Sequence, residues 1–219
     1  MAVPEALTAI PGVRTAAQLR EPMLTVLPEL AGLLPGGGLR RGSTVAVRGA
    51  RSLVLALLAE ATRNGSWAAV TGLPDLGLAA AAELGVDLER VALVPDPGAE
   101  LVAVLSALVD GFDLVVLGPA SVPAQTARRL AGRVRNRGTV LLTAGPWPGA
   151  DVELKVSGRH WHGLTQDGHG HLRARDVVAT SRGRGAAARP VTVGLQLPGP
   201  EGAVAGGARP GRRLAEVAG

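Results

Sequence analysis

Between residues 43 and 144 the chain alternates two kinds of apolar pattern. Short runs of consecutive apolar, often β-branched residues lie at Thr44–Val47, Trp67–Thr71, Val91–Val94, Leu114–Leu117 and Thr139–Leu142, each bounded by Gly, Pro or Asp. Such runs read as strands buried on both faces. Between them, Ser52–Arg63, Leu78–Leu84, Ala99–Val109 and Pro123–Arg137 have the length and spacing of helices. Ser52 is placed to cap its helix, Pro123 suits a first turn, and Gly65, Gly85, Gly111 and Gly138 fall where helices stop. Strands alternating with helices of this length predict an α/β fold with a mostly parallel central sheet covered on both faces.

The pattern changes after Gly145. The stretch Gly145–Gly149 (GPWPG) is a loop, and beyond it Val152–Val156, His160–Leu164, Leu172–Ser181 and Pro190–Leu197 alternate apolar and polar residues. That is the signature of an antiparallel C-terminal β extension of the same sheet. Three regions follow. Residues 1–34 are an N-terminal segment, helical over Pro4–Arg20, with a linker; residues 35–197 are the core; residues 198–219, rich in Gly, Ala, Pro and Arg, are a flexible tail.

Composition removes several function classes. The chain has 219 residues, 47% of them hydrophobic, which is enough for one domain with a sizeable core. It contains no cysteine, so disulfides, thiolate catalysis and cysteine zinc sites are excluded. No run of 18 apolar residues and no export signal are present, and a cytoplasmic protein without a membrane segment is expected. The net charge of +5 resides in residues 158–219, where nine arginines face Asp167, Asp176, Glu201 and Glu216. Lys155 is the only lysine, so the arginine richness reads first as coding bias and is weak evidence for nucleic acid by itself.

The order and spacing of these pieces resemble the RecA-type ATPase core. The resemblance is carried by Leu34–Val47 (LPGGGLRRGSTVAV), Leu53–Gly65 (LVLALLAEATRNG), Leu84–Gly98 (LGVDLERVALVPDPG), the strand Asp113–Leu117 at the Walker B place, and Leu130–Leu142 with Val177–Leu197. It implies a RecA-like fold. The chemistry of that family does not carry over residue by residue. A phosphate loop needs G-x-x-x-x-G-K-[ST], so that backbone N–H groups cradle the phosphates, Lys balances charge and Ser/Thr holds Mg²⁺. Here Arg48, Gly49, Ala50, Arg51 and Ser52 make a turn about five residues too short and without Lys. The Walker B strand ends Leu117–Gly118–Pro119, the segment for a water-activating Glu reads Thr71–Gly72–Leu73–Pro74–Asp75, and the sensor strand ends Thr143–Ala144–Gly145–Pro146. No enzyme activity, catalytic residue, cofactor or metal is expected.

A small, cysteine-free RecA-like core with these departures resembles the ImuA/ImuA′ accessory proteins of damage-induced mutagenesis cassettes. The resemblance implies a non-enzymatic role in translesion synthesis within the SOS response. It implies a Y-family polymerase homologue and an error-prone replicative-type polymerase as partners. DNA is then reached mainly through the partner, and the protein is cytoplasmic, nucleoid-associated when in complex. The alternatives are a single-stranded nucleic-acid-binding RecA-like protein, and an ATPase with an unorthodox phosphate loop.

Candidate contact residues follow from charge and exposure. Arg128, Arg129, Arg133, Arg135 and Arg137 crowd one helix opposite its apolar stripe of Ala127, Leu130, Ala131 and Val134, forming either a solvated face or a phosphate-contacting one. Trp147, between two prolines, is either a stacking platform or partner anchor, or folds back onto the core. Arg182 and Arg184 add charge near the end of the meander. Arg48 and Arg51 flank the short turn, as phosphate contacts or as solvated loop residues. His160, His162, His169 and His171 form two H-x-H pairs, read as a polar hairpin face because Asp167 is the one nearby acid between them. For a protein contact, the segment Pro4–Arg20 is the first candidate and the C-terminal tail the second.

Overall fold

The computed structural model describes residues 23–165, 167 and 169–207. The expected helix over Pro4–Arg20 lies outside them. The described chain opens with a small antiparallel pair, β1 (Met23–Leu24) and β2 (Leu39–Arg40), with a helical turn α1 (Pro28–Ala31) between them. Leu24, Val26, Leu30, Leu33 and Leu34 share one apolar cluster with helix α2 (Arg51–Arg63). Residues 23–34 were expected as linker and are instead part of the core. They account for the burial of α2, whose residues from Leu53 to Ala59 are all inaccessible. A helix apolar on every side needs cover away from the sheet as well as on it.

The next strands are β3 (Thr44–Arg48), β4 (Ala68–Thr71), β5 (Val91–Val94), β6 (Leu114–Leu117) and β7 (Val140–Thr143). They alternate with α2, α3 (Leu78–Glu83), α4 (Leu101–Gly111) and α5 (Ala124–Arg137), as the sequence pattern predicts. The later strands are β8 (Val152–Leu164), β9 (Gly170–Gly183), β10 (Val191–Gln196) and β11 (Ala205–Gly206). Among the described residues nine strands form one sheet in the order β11-β10-β9-β8-β3-β7-β6-β4-β5. From β8 to β5 every pairing is parallel; from β8 to β11 every pairing is antiparallel. β8 is therefore the seam between the two halves. Val152–Val156 and His160–Leu164, expected as separate runs, are one strand interrupted by register shifts. β11 lies within residues 198–219, expected as a flexible tail: the chain as far as residue 207 returns to the sheet as an edge strand.

Two apolar clusters cover the two faces. One holds α2 and Val45, Val47, Leu114, Val116, Leu154, Val156, Val177 and Leu195. The other packs Leu105 and Val109 of α4, and Ala127, Leu130 and Val134 of α5, on Ala46, Val115, Leu117 and Leu141. Strands loaded on both faces must be apolar at every position, which is why β6 reads LVVL and is wholly buried. α5 is amphipathic and ends at Gly138, whose φ of 71° lets its N–H reach the Val134 carbonyl at 3.0 Å.

Candidate functional site

An open parallel sheet binds ligands beyond the carboxyl ends of its strands. Here that edge is closed at several points. β3 ends at Arg48 and α2 begins at Arg51, leaving only Gly49 and Ala50 to connect them. Gly49 has φ 92°, and a Cβ there would overlap the Val156 carbonyl oxygen of β8. The turn is thus pressed onto the neighbouring strand. The cavity remaining beside it, lined by Val47, Gly49, Ala50, Arg51 and Ala144, measures about 180 Å³. Small-molecule sites generally span about 300–1,000 Å³. Arg48 and Arg51 are exposed to solvent at its rim.

Ser52 does not cap α2. The cap position is Ala50, which has no side-chain acceptor. Ser52 Oγ accepts instead a 3.0 Å hydrogen bond from Arg175 Nη2 of β9. Arg175 Nε donates to the Leu197 carbonyl at 2.8 Å, and the guanidinium lies 5.3 Å from the Trp161 ring centroid. One cation therefore joins β8, β9, the chain after β10 and the first turn of α2.

The other expected nucleotide positions are also occupied by packing. At the end of β6 the Gly118 N–H donates to the Thr71 carbonyl at 2.8 Å, and a Cβ on Gly118 would overlap the Gly72 carbonyl oxygen. The ends of β4 and β6 close on each other with no acid between them; Asp75 is exposed beyond. Asp113 lies at the opposite end of the sheet and is 4% exposed. It accepts from Arg41 Nη1 at 2.9 Å and from the Trp67 N–H at 3.0 Å.

The arginine candidates are divided between two places. Arg128, Arg129 and Arg135 are exposed on the outer side of α5. Arg133 and Arg137 both engage Asp110 of α4, and the Arg133 hydrogen bonds hold the Asp110 carboxyl down at about 2. Arg182 pairs with Glu153 at 2.8 Å, and Arg184 donates to the Gly149 carbonyl. So four of these seven arginines are used in holding the fold together.

Of the two readings of Trp147, the structure shows the one in which it folds back onto the core. It is 4% exposed and belongs to the second apolar cluster with Ala46, Leu117 and Val122. Its Nε1 has no hydrogen-bond partner among the described residues. The exposed tryptophan is Trp161, at 39%. Its signal in the sequence was the place opposite Arg175 in the β8–β9 hairpin, legible only once the register is known.

The histidines do not converge. His162 Nε2 lies 2.6 Å from Asp176 Oδ2, and His160 meets the His162 ring edge-on at 4.8 Å. The His162 hydrogen bond, followed by one from Gln196, holds the Asp176 carboxyl below its usual range. Among the described residues no group of three or more His, Asp or Glu side chains is arranged to hold a metal ion. No helix among them is long and apolar enough to cross a membrane.

Residues 32–149 match the family model described as the MT3502 N-terminal domain. The chain belongs to that family. The matched MT3502 region runs from the end of α1 through the Trp147 loop, so it holds the closed phosphate turn and most of the parallel sheet. The chain is 37% identical over 191 residues to the uncharacterized protein Rv3395c of Mycobacterium tuberculosis, covering 79% of this chain and 94% of that one. Among solved structures it is similar to the flagellar accessory protein FlaH of Methanocaldococcus jannaschii, with TM-score 0.56 and 11% identity, over 85% of this chain and 99% of that chain. The fold of this MT3502-family chain is RecA-like, with the expected mostly parallel sheet and antiparallel C-terminal strands.

Proposed function

We propose that this protein is a non-enzymatic accessory of the ImuA/ImuA′ type. It acts in damage-induced translesion synthesis by binding an inactive Y-family polymerase homologue, beside an error-prone replicative-type polymerase. The observation that carries this reading is the turn at Gly49–Ala50. A RecA-like sheet has kept its packing on both faces, while the two-residue turn after β3 lies against the Val156 carbonyl and leaves beside it a cavity of only about 180 Å³. A fold kept without room for its cofactor is used for its surfaces. The absence of an acid at the end of β6, and of Lys in the turn, supports the same reading.

Two experiments test it. Calorimetry with ATP and Mg²⁺ is expected to give no binding up to millimolar nucleotide; micromolar binding abolished by Arg51→Ala would refute the account of the turn. Co-purification of the full chain with the Y-family homologue from the same genome is expected to yield a complex. If the intact chain fails to bind, the accessory reading falls. Deleting residues 1–22 and 208–219 leaves the described core whole, and the pairing is expected to weaken when the N-terminal stretch is removed. Unchanged binding by both deletions would place the contact on the core.

A further inference from the structure

We infer that the β8–β9 hairpin carries a site for single-stranded nucleic acid, built on Trp161 and used by this chain directly. This goes beyond the accessory reading, in which DNA is met through a partner.

Trp161 and Arg175 are directly paired across the hairpin, so their side chains share a face. Arg175 holds one side of the indole by cation–π contact at 5.3 Å and is itself anchored to Ser52 and to the Leu197 carbonyl. The ring is thus fixed rather than free, while 39% of Trp161 stays open to solvent. Gly163 and Arg173 continue the same face. A Cβ on Gly163 would overlap the His171 carbonyl oxygen and come within 3.1 Å of Arg173 Cγ, so the absent side chain lets β9 close on β8 here and brings Arg173 up beside the hairpin face that carries Trp161. Arg173 and Arg175 are two residues apart on one strand, about 7 Å. Arg51, exposed, precedes Ser52 in the first turn of α2.

Charge selects the class of ligand. Arg51 and Arg173 are exposed, and neither has an ion pair with an acid among the described residues. Of the hairpin's acids, Asp176 points to the other face of β9, where His162 and Gln196 hold it, Glu153 pairs with Arg182, and Asp167 lies in the hairpin turn. An oriented aromatic ring beside Arg175 and Arg173 fits a flexible polyanion whose bases stack: the ring takes a base and the guanidiniums take phosphates. A protein partner of ordinary composition would need acids to match, and the extended polar backbone of a single strand supplies them at every step.

The test uses the full chain, without any polymerase, and a fluorescein-labelled oligothymidylate of about 20 nucleotides, read by anisotropy at about 50 and 200 mM salt. Binding is expected, with a salt dependence of roughly tenfold over that range for two to three phosphate contacts. Trp161→Ala should weaken it about 5- to 100-fold, and Trp161→Phe much less. Arg173→Glu should weaken it and flatten the salt slope. Arg128→Glu/Arg129→Glu on α5 should change it little. As a second reading, tryptophan emission should be quenched on binding in the parent and not in Trp161→Phe, which also guards against a Trp161→Ala variant that misfolds. The inference is overturned by no binding at low salt. It is equally overturned if Trp161→Phe shows the parent's quenching, or if the α5 double variant weakens binding as much as Arg173→Glu while Trp161→Ala does not.

Discussion

Removing the Asp113 carboxylate should be among the most damaging single changes available to this fold. Asp113 opens β6 at the amino end of the sheet, and its side chain is 5% exposed against 16% for its partner Arg41. One oxygen accepts from Arg41 Nη1 at 2.9 Å and the other from the Trp67 N–H at 3.0 Å, tying the start of β6 to the residue before β4 and to the loop after β2. Asp113→Ala leaves a largely buried guanidinium without its countercharge, and Arg41 Nε already lacks a partner among the described residues. Breaking one side of a buried pair costs about 3–5 kcal/mol. The lost acceptor for the Trp67 N–H is part of the same network, so its about 1–3 kcal/mol does not simply add. With a urea m-value of about 2–3 kcal/mol/M for a domain of this size, the midpoint should fall by roughly 1–2 M with m unchanged. Replacing both members, as Arg41→Met/Asp113→Leu, removes the stranded charge and should recover most of the loss. Urea titrations followed together by circular dichroism and tryptophan fluorescence measure this. A midpoint shift below about 0.3 M for Asp113→Ala, or a double variant no better than the single one, would refute the assignment of the pair as a buried, mutually dependent unit.

Other expectations follow from the same geometry. Trp147→Ala should destabilise by about 3–5 kcal/mol through the cavity it leaves, whereas Trp147→Phe should cost far less because it also removes the unpaired indole N–H; thermal denaturation ranks the two. Gly49→Ala should cost at least about 1–3 kcal/mol from its left-handed backbone, with the overlap on the Val156 carbonyl in addition, and Gly65→Ala, which meets nothing within 4 Å, should cost less in the same assay. The Asp110 carboxyl, lowered to about 2 by Arg133 and Arg137, contributes stability that is complete above about pH 4–5. That contribution should fade as pH falls toward 2 and be missing in Asp110→Asn, which NMR titration of the carboxyl and acid unfolding curves can follow.

The parallel half of the sheet was legible because its strands are short, mostly apolar runs bounded by Gly, Pro or Asp, with helix-length segments between them. β5, β6 and the body of α5 lie where the pattern puts them. What the sequence hid depends on contacts between distant positions. Arg133 and Arg137 read as free surface charge until α4 brings Asp110 beside them, 23 and 27 residues away. Ser52 has the composition of a cap, yet Arg175, 123 residues later, claims its hydroxyl. Trp147 between prolines is compatible with a presented ring or a buried one, and its place in the apolar cluster of Ala46, Leu117 and Val122 shows that it is buried. Residues 198–207 have a disordered composition, and strand pairing with β10 overrides it, since backbone hydrogen bonds do not depend on side chains. The short turn after β3 was visible as a count of residues; that it lies against the Val156 carbonyl of β8 was not.

That close contact bears on what mutation can and cannot do to this chain. A missing catalytic side chain is one codon away from return. A missing loop is not: lysine at position 51 would find no ring of converging backbone N–H groups, and an inserted loop would meet the Val156 carbonyl of a strand that also holds β3 to the antiparallel half. Regaining a phosphate cradle would require an insertion of about five residues and a retreat of β8 in the same event, with neither step useful alone. Descendants of such a sequence can vary their surfaces widely while this corner of the sheet stays shut.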